Sequence, residues 1–140
     1  MSNSSVLGGT IPAIGRILIS AIFLVSVAGK LAAPAATVGF IASAHLPFPQ
    51  LGYAIAVFVE LFGGIALALG FRARMAAAGL AAFCIAAALA FHSNLSDQNQ
   101  FFHFFKNLAM AGGLLQVVAF GAGRFSLDAR QGEVRNGLLQ

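Results

Sequence analysis

Apolar residues fill four stretches of this chain, and polar or proline-rich segments separate them. Residues 11–31, 51–71, 75–91 and 102–122 approach or exceed the roughly 20 helical residues that span a hydrocarbon core at about 1.5 Å rise per residue. The pattern predicts an all-α fold, an integral membrane four-helix bundle running up-down-up-down, with residues 11–123 as its transmembrane domain. Ala32 to Gln50 holds Pro34, Pro47 and Pro49 and is the longest connection, because proline at that density breaks helix. Within it, Thr37 to Ala44 can form a short helix lying in the interface. Gly70 is the predicted C-terminal cap of the second span, and the short Phe71-Arg72-Ala73-Arg74 link that follows predicts an antiparallel hairpin. His92 to Gln100 reads as a polar loop. The first ten residues lack the small-residue cleavage site of a signal peptide, so 1–10 reads as a flexible or interfacial lead. Residues 124–140 are polar and mixed in charge, the pattern of a cytoplasmic tail.

Composition supports the membrane reading. At 59% hydrophobic and 9% charged, the chain cannot cover itself with a polar surface in water. Its net charge of +4 is not gathered into a stripe, so it argues against nucleic acid as a partner. Membrane topology accounts for it better. Arg16, Arg72, Arg74, Arg124, Arg130 and Arg135 fall on the side shared by both termini and the middle connection, and only Lys30 and Lys106 fall toward the other. By the positive-inside bias both termini are expected in the cytoplasm, with the His45 and His92 loops facing outward. Cys84 is the single cysteine and lies in an apolar run, which excludes dithiol redox chemistry within the chain.

Glu60 is the feature around which candidate chemistry gathers. It is the one charge in the run from Leu51 to Phe71 and would lie near the bilayer midplane, where a charge costs at least about 2.5 kcal/mol. Such a group faces a protein interior and takes a partner, or stays protonated. Stepping by four gives Gly52, Ala56, Glu60, Gly64 and Ala68, a row of small residues on which another helix can approach closely. Glu60 is then either a structural pin or a group for ligand or proton handling. Depth counting places Lys106 about 9 Å outward of it and Arg16 about 8 Å inward, which makes these two the expected partners, with Lys30 a weaker one. Arg16 and Lys30 would otherwise snorkel to the two interfaces. Asn107, Gln116, Ser20 and Ser26 add polar atoms on other spans.

The rest of the chemistry is sparse. In the third span Ala78, Ala82, Ala86 and Ala90 form one small-residue stripe, while Cys84, Ala88 and His92 share another row; both suit helix packing. His45, His92 and His103 match no metal spacing, so no metal is expected. No Walker loop, dinucleotide fingerprint, nucleophile elbow or haem attachment motif is present. Phe101, Phe102, Phe104 and Phe105 beside His103 suit a headgroup boundary or, in part, a pocket for an aromatic ring.

Taken in order, Gly15-Arg16, Gly29-Lys30, Glu60 with Gly63-Gly64, Gly70 with Arg74, Phe91-His92, Lys106-Asn107-Leu108, Gly112-Gly113 and the closing Gly121-Ala122-Gly123-Arg124-Phe125-Ser126-Leu127-Asp128 resemble the DoxX family of small four-helix membrane proteins. The resemblance runs over roughly residues 12–130. It implies a bacterial inner-membrane location and an association with membrane redox or oxidative-stress assemblies. The family's name comes from a quinone-linked, thiosulfate-oxidising complex; this chain looks more like the proteobacterial inner-membrane branch. Three readings follow. The first is a redox-accessory protein that binds a quinone or similar amphipathic molecule through Glu60, Lys106, Asn107, His92 and Arg16, in the outer half of the bundle. The second is a non-enzymatic structural or assembly subunit of a larger complex or homo-oligomer. The third is a small-solute transporter or channel, for which four spans without an inverted repeat are few. No catalytic constellation is complete, so any activity would be that of a subunit within a quinone-linked oxidoreductase.

Overall fold

A computed structural model describes residues 3–137, and among them the chain forms six helices and no strand. They are α1 (Asn3–Ala32), α2 (Pro34–Ser43), α3 (Pro49–Leu69), α4 (Ala73–Phe91), α5 (Gln98–Phe120) and α6 (Leu127–Gly137). Four are long and apolar enough to cross a membrane: Gly8–Ala32, Pro49–Leu69, Ala73–Phe91 and Gln98–Phe120. Two regions expected to be irregular are helical. α1 is already helical at Asn3, ahead of the expected start near Ile11, and the polar tail contains α6. Met1, Ser2 and residues 138–140 lie outside the described residues.

The boundaries have local causes. Pro34 and Pro49 sit in the first turns of α2 and α3, where a missing N–H costs nothing. Gly70 ends α3 in the left-handed conformation, φ 67°, and the Gly70 and Phe71 amides return to the Leu67 and Ala66 carbonyls. Asp97 caps α5, its carboxylate accepting from the Gln100 amide.

The core contains Phe23 from α1, Leu67 from α3, Leu80 and Cys84 from α4 and Leu114 from α5. Between helices in a bilayer, close packing replaces the hydrophobic effect as the main attraction, because lipid tails are as apolar as leucine. Small residues therefore set the approach. A Cβ at Gly64 would meet the Leu24 side chain at 3.0 Å, and one at Gly63 would meet Leu80 at 3.0 Å, so α1 and α4 pack on adjoining faces of α3. On α4 the buried stripe is Ala73, Ala77, Leu80, Ala81, Cys84 and Ala88. The other expected stripe is not a packing face: Ala78, Ala82 and Ala86 are exposed. Large apolar side chains such as Leu18, Phe58, Met75 and Leu89 point outward, as the acyl-chain solvent requires. The short helix α2 lies across one end, with Ile41 against Gly52 of α3 and Phe40 stacked on Phe91 at 5.3 Å.

Candidate functional site

Three polar clusters interrupt this apolar bundle, and one contains Glu60. The carboxylate is 4% exposed and paired with Lys30, whose Nζ lies 2.9 Å from Oε2 and donates to Oε1 at 3.0 Å. Lys30 also donates to Ser26 Oγ at 2.6 Å, and Ser26 in turn donates to Glu60 Oε1 at 3.1 Å. Lys30 and Ser26 are one helical turn apart on α1, so both reach the same face of α3. The Oε2 contact is ionic without hydrogen-bond alignment, which leaves that oxygen with accepting capacity. The lysine side chain is 22% exposed against 5% for the glutamate, so the pair is reached from the lysine side. Tyr53 adds a hydroxyl, donating to the Lys30 carbonyl at 3.4 Å.

Neither expected partner meets Glu60. Lys106 is exposed and its Nζ lies 2.9 Å from His103 Nδ1 on its own helix. An ammonium only donates, so His103 accepts there and carries its proton on Nε2. Asn107 also bonds locally, Nδ2 donating to the His103 carbonyl at 2.9 Å. His92, just past the end of α4, stacks on His103 with ring centroids 4.9 Å apart. Burial, together with the neighbouring His103 and Lys106, holds the His92 imidazole below the usual histidine range. Lys106, Asn107, His92 and His103 thus form a second cluster, separate from the Glu60 pair. The four phenylalanines pack on one another, Phe101 on Phe102 and Phe105 and Phe104 on Phe105.

Arg16 forms the third cluster, at the other end of α1. It does not snorkel: it is 2% exposed and donates through Nη1 to the Leu67 and Ala68 carbonyls (2.8 and 3.0 Å) and through Nη2 to Phe125 (2.6 Å). The last-turn carbonyls of a helix have spare accepting capacity, and here a guanidinium fork takes two of them, sharing that of Leu67 with the Gly70 amide. Asp128 completes the junction. Its carboxylate accepts from the Arg72 and Ala73 amides at 2.7 and 2.9 Å, capping α4, while its own amide donates to Gly70 at 2.9 Å.

Comparison with known proteins gives the family. The DoxX family model matches residues 11–93. The chain belongs to the DoxX family. It is 31% identical over 115 residues to "Inner membrane protein YqjF" of Escherichia coli (strain K12), covering 82% of this chain and 87% of the relative. To "Inner membrane protein YphA" of the same organism it is 30% identical over 122 residues, covering 84% and 87%. No solved structure matches the chain significantly. This DoxX-family chain is a multi-pass protein of the inner membrane. The family match includes Arg16, Lys30 and Glu60 but stops before the Gly121–Asp128 segment, where the sequence resemblance is most specific.

Sequence reasoning undervalued Lys30, overlooked Tyr53 and did not foresee the Asp128 cap. A signal for the first existed: Ser26 and Lys30 at i, i+4 form a polar edge on an otherwise apolar helix. Asp128 follows a glycine-rich turn and gives no local sign of the helix it caps.

Proposed function

We propose that this DoxX-family protein is a redox-associated accessory protein whose bundle binds the polar head of a quinone or similar amphipathic molecule at the Lys30–Glu60 pair. One observation carries the reading: a buried carboxylate with an oxygen free of aligned donors, held by an ammonium that is partly accessible. Buried polar groups in an apolar wall are what such a site requires. The ammonium can donate to a quinone carbonyl, and the carboxylate can accept from a quinol hydroxyl, so one pair serves both oxidation states. Electrons would come from a partner subunit. In the proposed orientation, which follows from the arginine bias, the termini are cytoplasmic, Glu60 lies near the midplane and Lys30 lies toward the outer face.

The network also ties α1 to α3, and this favours a second reading, a structural subunit in which the pair is only a pin. Quinone retention separates the two. The gently purified wild-type protein should carry quinone that a Lys30→Met, Glu60→Gln double variant loses while remaining folded. Equal retention in both would leave the structural reading in front.

A further inference from the structure

The α1–α5 seam is open at the end opposite Lys30. A groove of about 420 Å³ runs along α1 from Gly8 past Gly15 and Arg16 to Ile19, with Gln116 and Gly121 among the residues of its other wall. From Gly8 to Ile19 the helix rises about 16 Å, close to half the roughly 30 Å hydrocarbon core. The groove therefore has the length of one leaflet's acyl region, and its walls are mainly apolar.

Its charge is one-sided. Arg16 lines the groove almost fully buried, its Nε has no hydrogen-bond partner, and its other nitrogens meet neutral carbonyls. Among the described residues no carboxylate lies within ion-pair distance of it; Asp128 acts on it only from farther away, with both oxygens engaged by α4 amides. Beside Gly121 of the groove wall a second arginine adds to the field: a Cβ at Gly121 would stand 3.5 Å from Arg74 Nε. Positive charge beside an apolar groove the length of a leaflet complements a negatively charged head on a hydrocarbon tail. Soluble anions would not fill the groove, and a zwitterionic head gains less from an unneutralised positive field.

We propose that this groove binds one anionic phospholipid from the adjacent leaflet, its acyl chain along α1 and α5 and its phosphate within the field of Arg16 and Arg74. The site is separate from the Lys30–Glu60 pair, and its test does not depend on quinone binding.

Gly15 lines the groove and a Cβ there meets nothing within 4 Å, so Gly15→Leu places its added bulk at the groove. Gly79→Leu on α4, equally open, is the control outside the groove. Protein reconstituted in nanodiscs of phosphatidylethanolamine and phosphatidylglycerol is released for native mass spectrometry, with thiol protection of buried Cys84 reporting that each variant is folded. Wild type and Gly79→Leu should retain phosphatidylglycerol above its bulk proportion, and Gly15→Leu should fall to that proportion. Should Gly15→Leu not fold, Gly8→Leu at the N-terminal end of the groove, also open at Cβ, repeats the block. The proposal is overturned if wild type shows no enrichment, if it retains phosphatidylethanolamine or a neutral amphiphile instead, or if a folded groove-filling variant keeps the enrichment.

Discussion

Replacing Arg16 with methionine removes the fork that fastens α1 to the end of α3 and to the segment before α6. Three bonds are lost, to Leu67, Ala68 and Phe125, at 2.8, 3.0 and 2.6 Å. Hydrogen bonds to a charged donor are worth about 1.5–3 kcal/mol each, and relief of the guanidinium's desolvation offsets part of that sum. The expected net loss is about 3–5 kcal/mol, because what stays behind is a set of neutral carbonyls without their charged donor. At about 3–4 °C per kcal/mol for a chain of this size, the unfolding midpoint should fall by roughly 10–20 °C. The chain carries its own reporter, since Cys84 is its single cysteine and is buried, so a thiol-reactive fluorophore labels it on unfolding. Arg16→Lys should recover part of the loss, because an ammonium can donate to one or two carbonyls but cannot hold all three with a planar fork. An Arg16→Met protein that melts with wild type would refute the lock.

Other expectations follow from single contacts. Asp128→Ala uncaps α4 and should cost about 0.5–2 kcal/mol in the same thiol assay, with Asp128→Asn recovering most of it. Gly70→Ala should destabilise more, since φ is 67° and the new Cβ would lie 2.5 Å from Ser126 Cβ and 2.7 Å from Arg16 Nη1; a melting point near wild type would show that the turn can relax. His92 binds its proton less readily in the fold than in the unfolded chain, so stability should be full above about pH 6.5 and decline as pH falls below it, a slope that His92→Gln should reduce in melts across pH. For orientation, reporter fusions after Gln140 should read cytoplasmic and fusions near Pro47 or Ser96 periplasmic; the reverse pattern would invert the proposed placement of both the Lys30–Glu60 pair and the groove.

Hydrophobic runs, glycine and charge counts were enough to find four apolar spans, though not the early start of α1. They also found a short helix in the proline-rich connection, expected at Thr37 to Ala44 and present at Pro34–Ser43, the cap at Gly70 and a buried Glu60, because these depend largely on neighbours along the chain. Partner choice depends on something else. Depth counting put Lys106 and Arg16 nearer to Glu60 than Lys30, but depth is one coordinate and the rotation of each helix about its axis is another. Packing of α1 on α3 turns Ser26 and Lys30 toward Glu60, whereas Lys106 stays exposed and meets His103 one turn away. Alanine on every face of α4 hides its rotation in the same way, so the stripe at Ala78, Ala82 and Ala86 was as plausible in sequence as the buried one at Ala77, Ala81 and Ala88. Arg16 meets Phe125 across 109 residues, and Asp128 meets the start of α4 across 55 and 56. Contacts at such separations leave no period in the chain; they exist only once the helices are assembled and bring the unpaired backbone groups at their ends to one place.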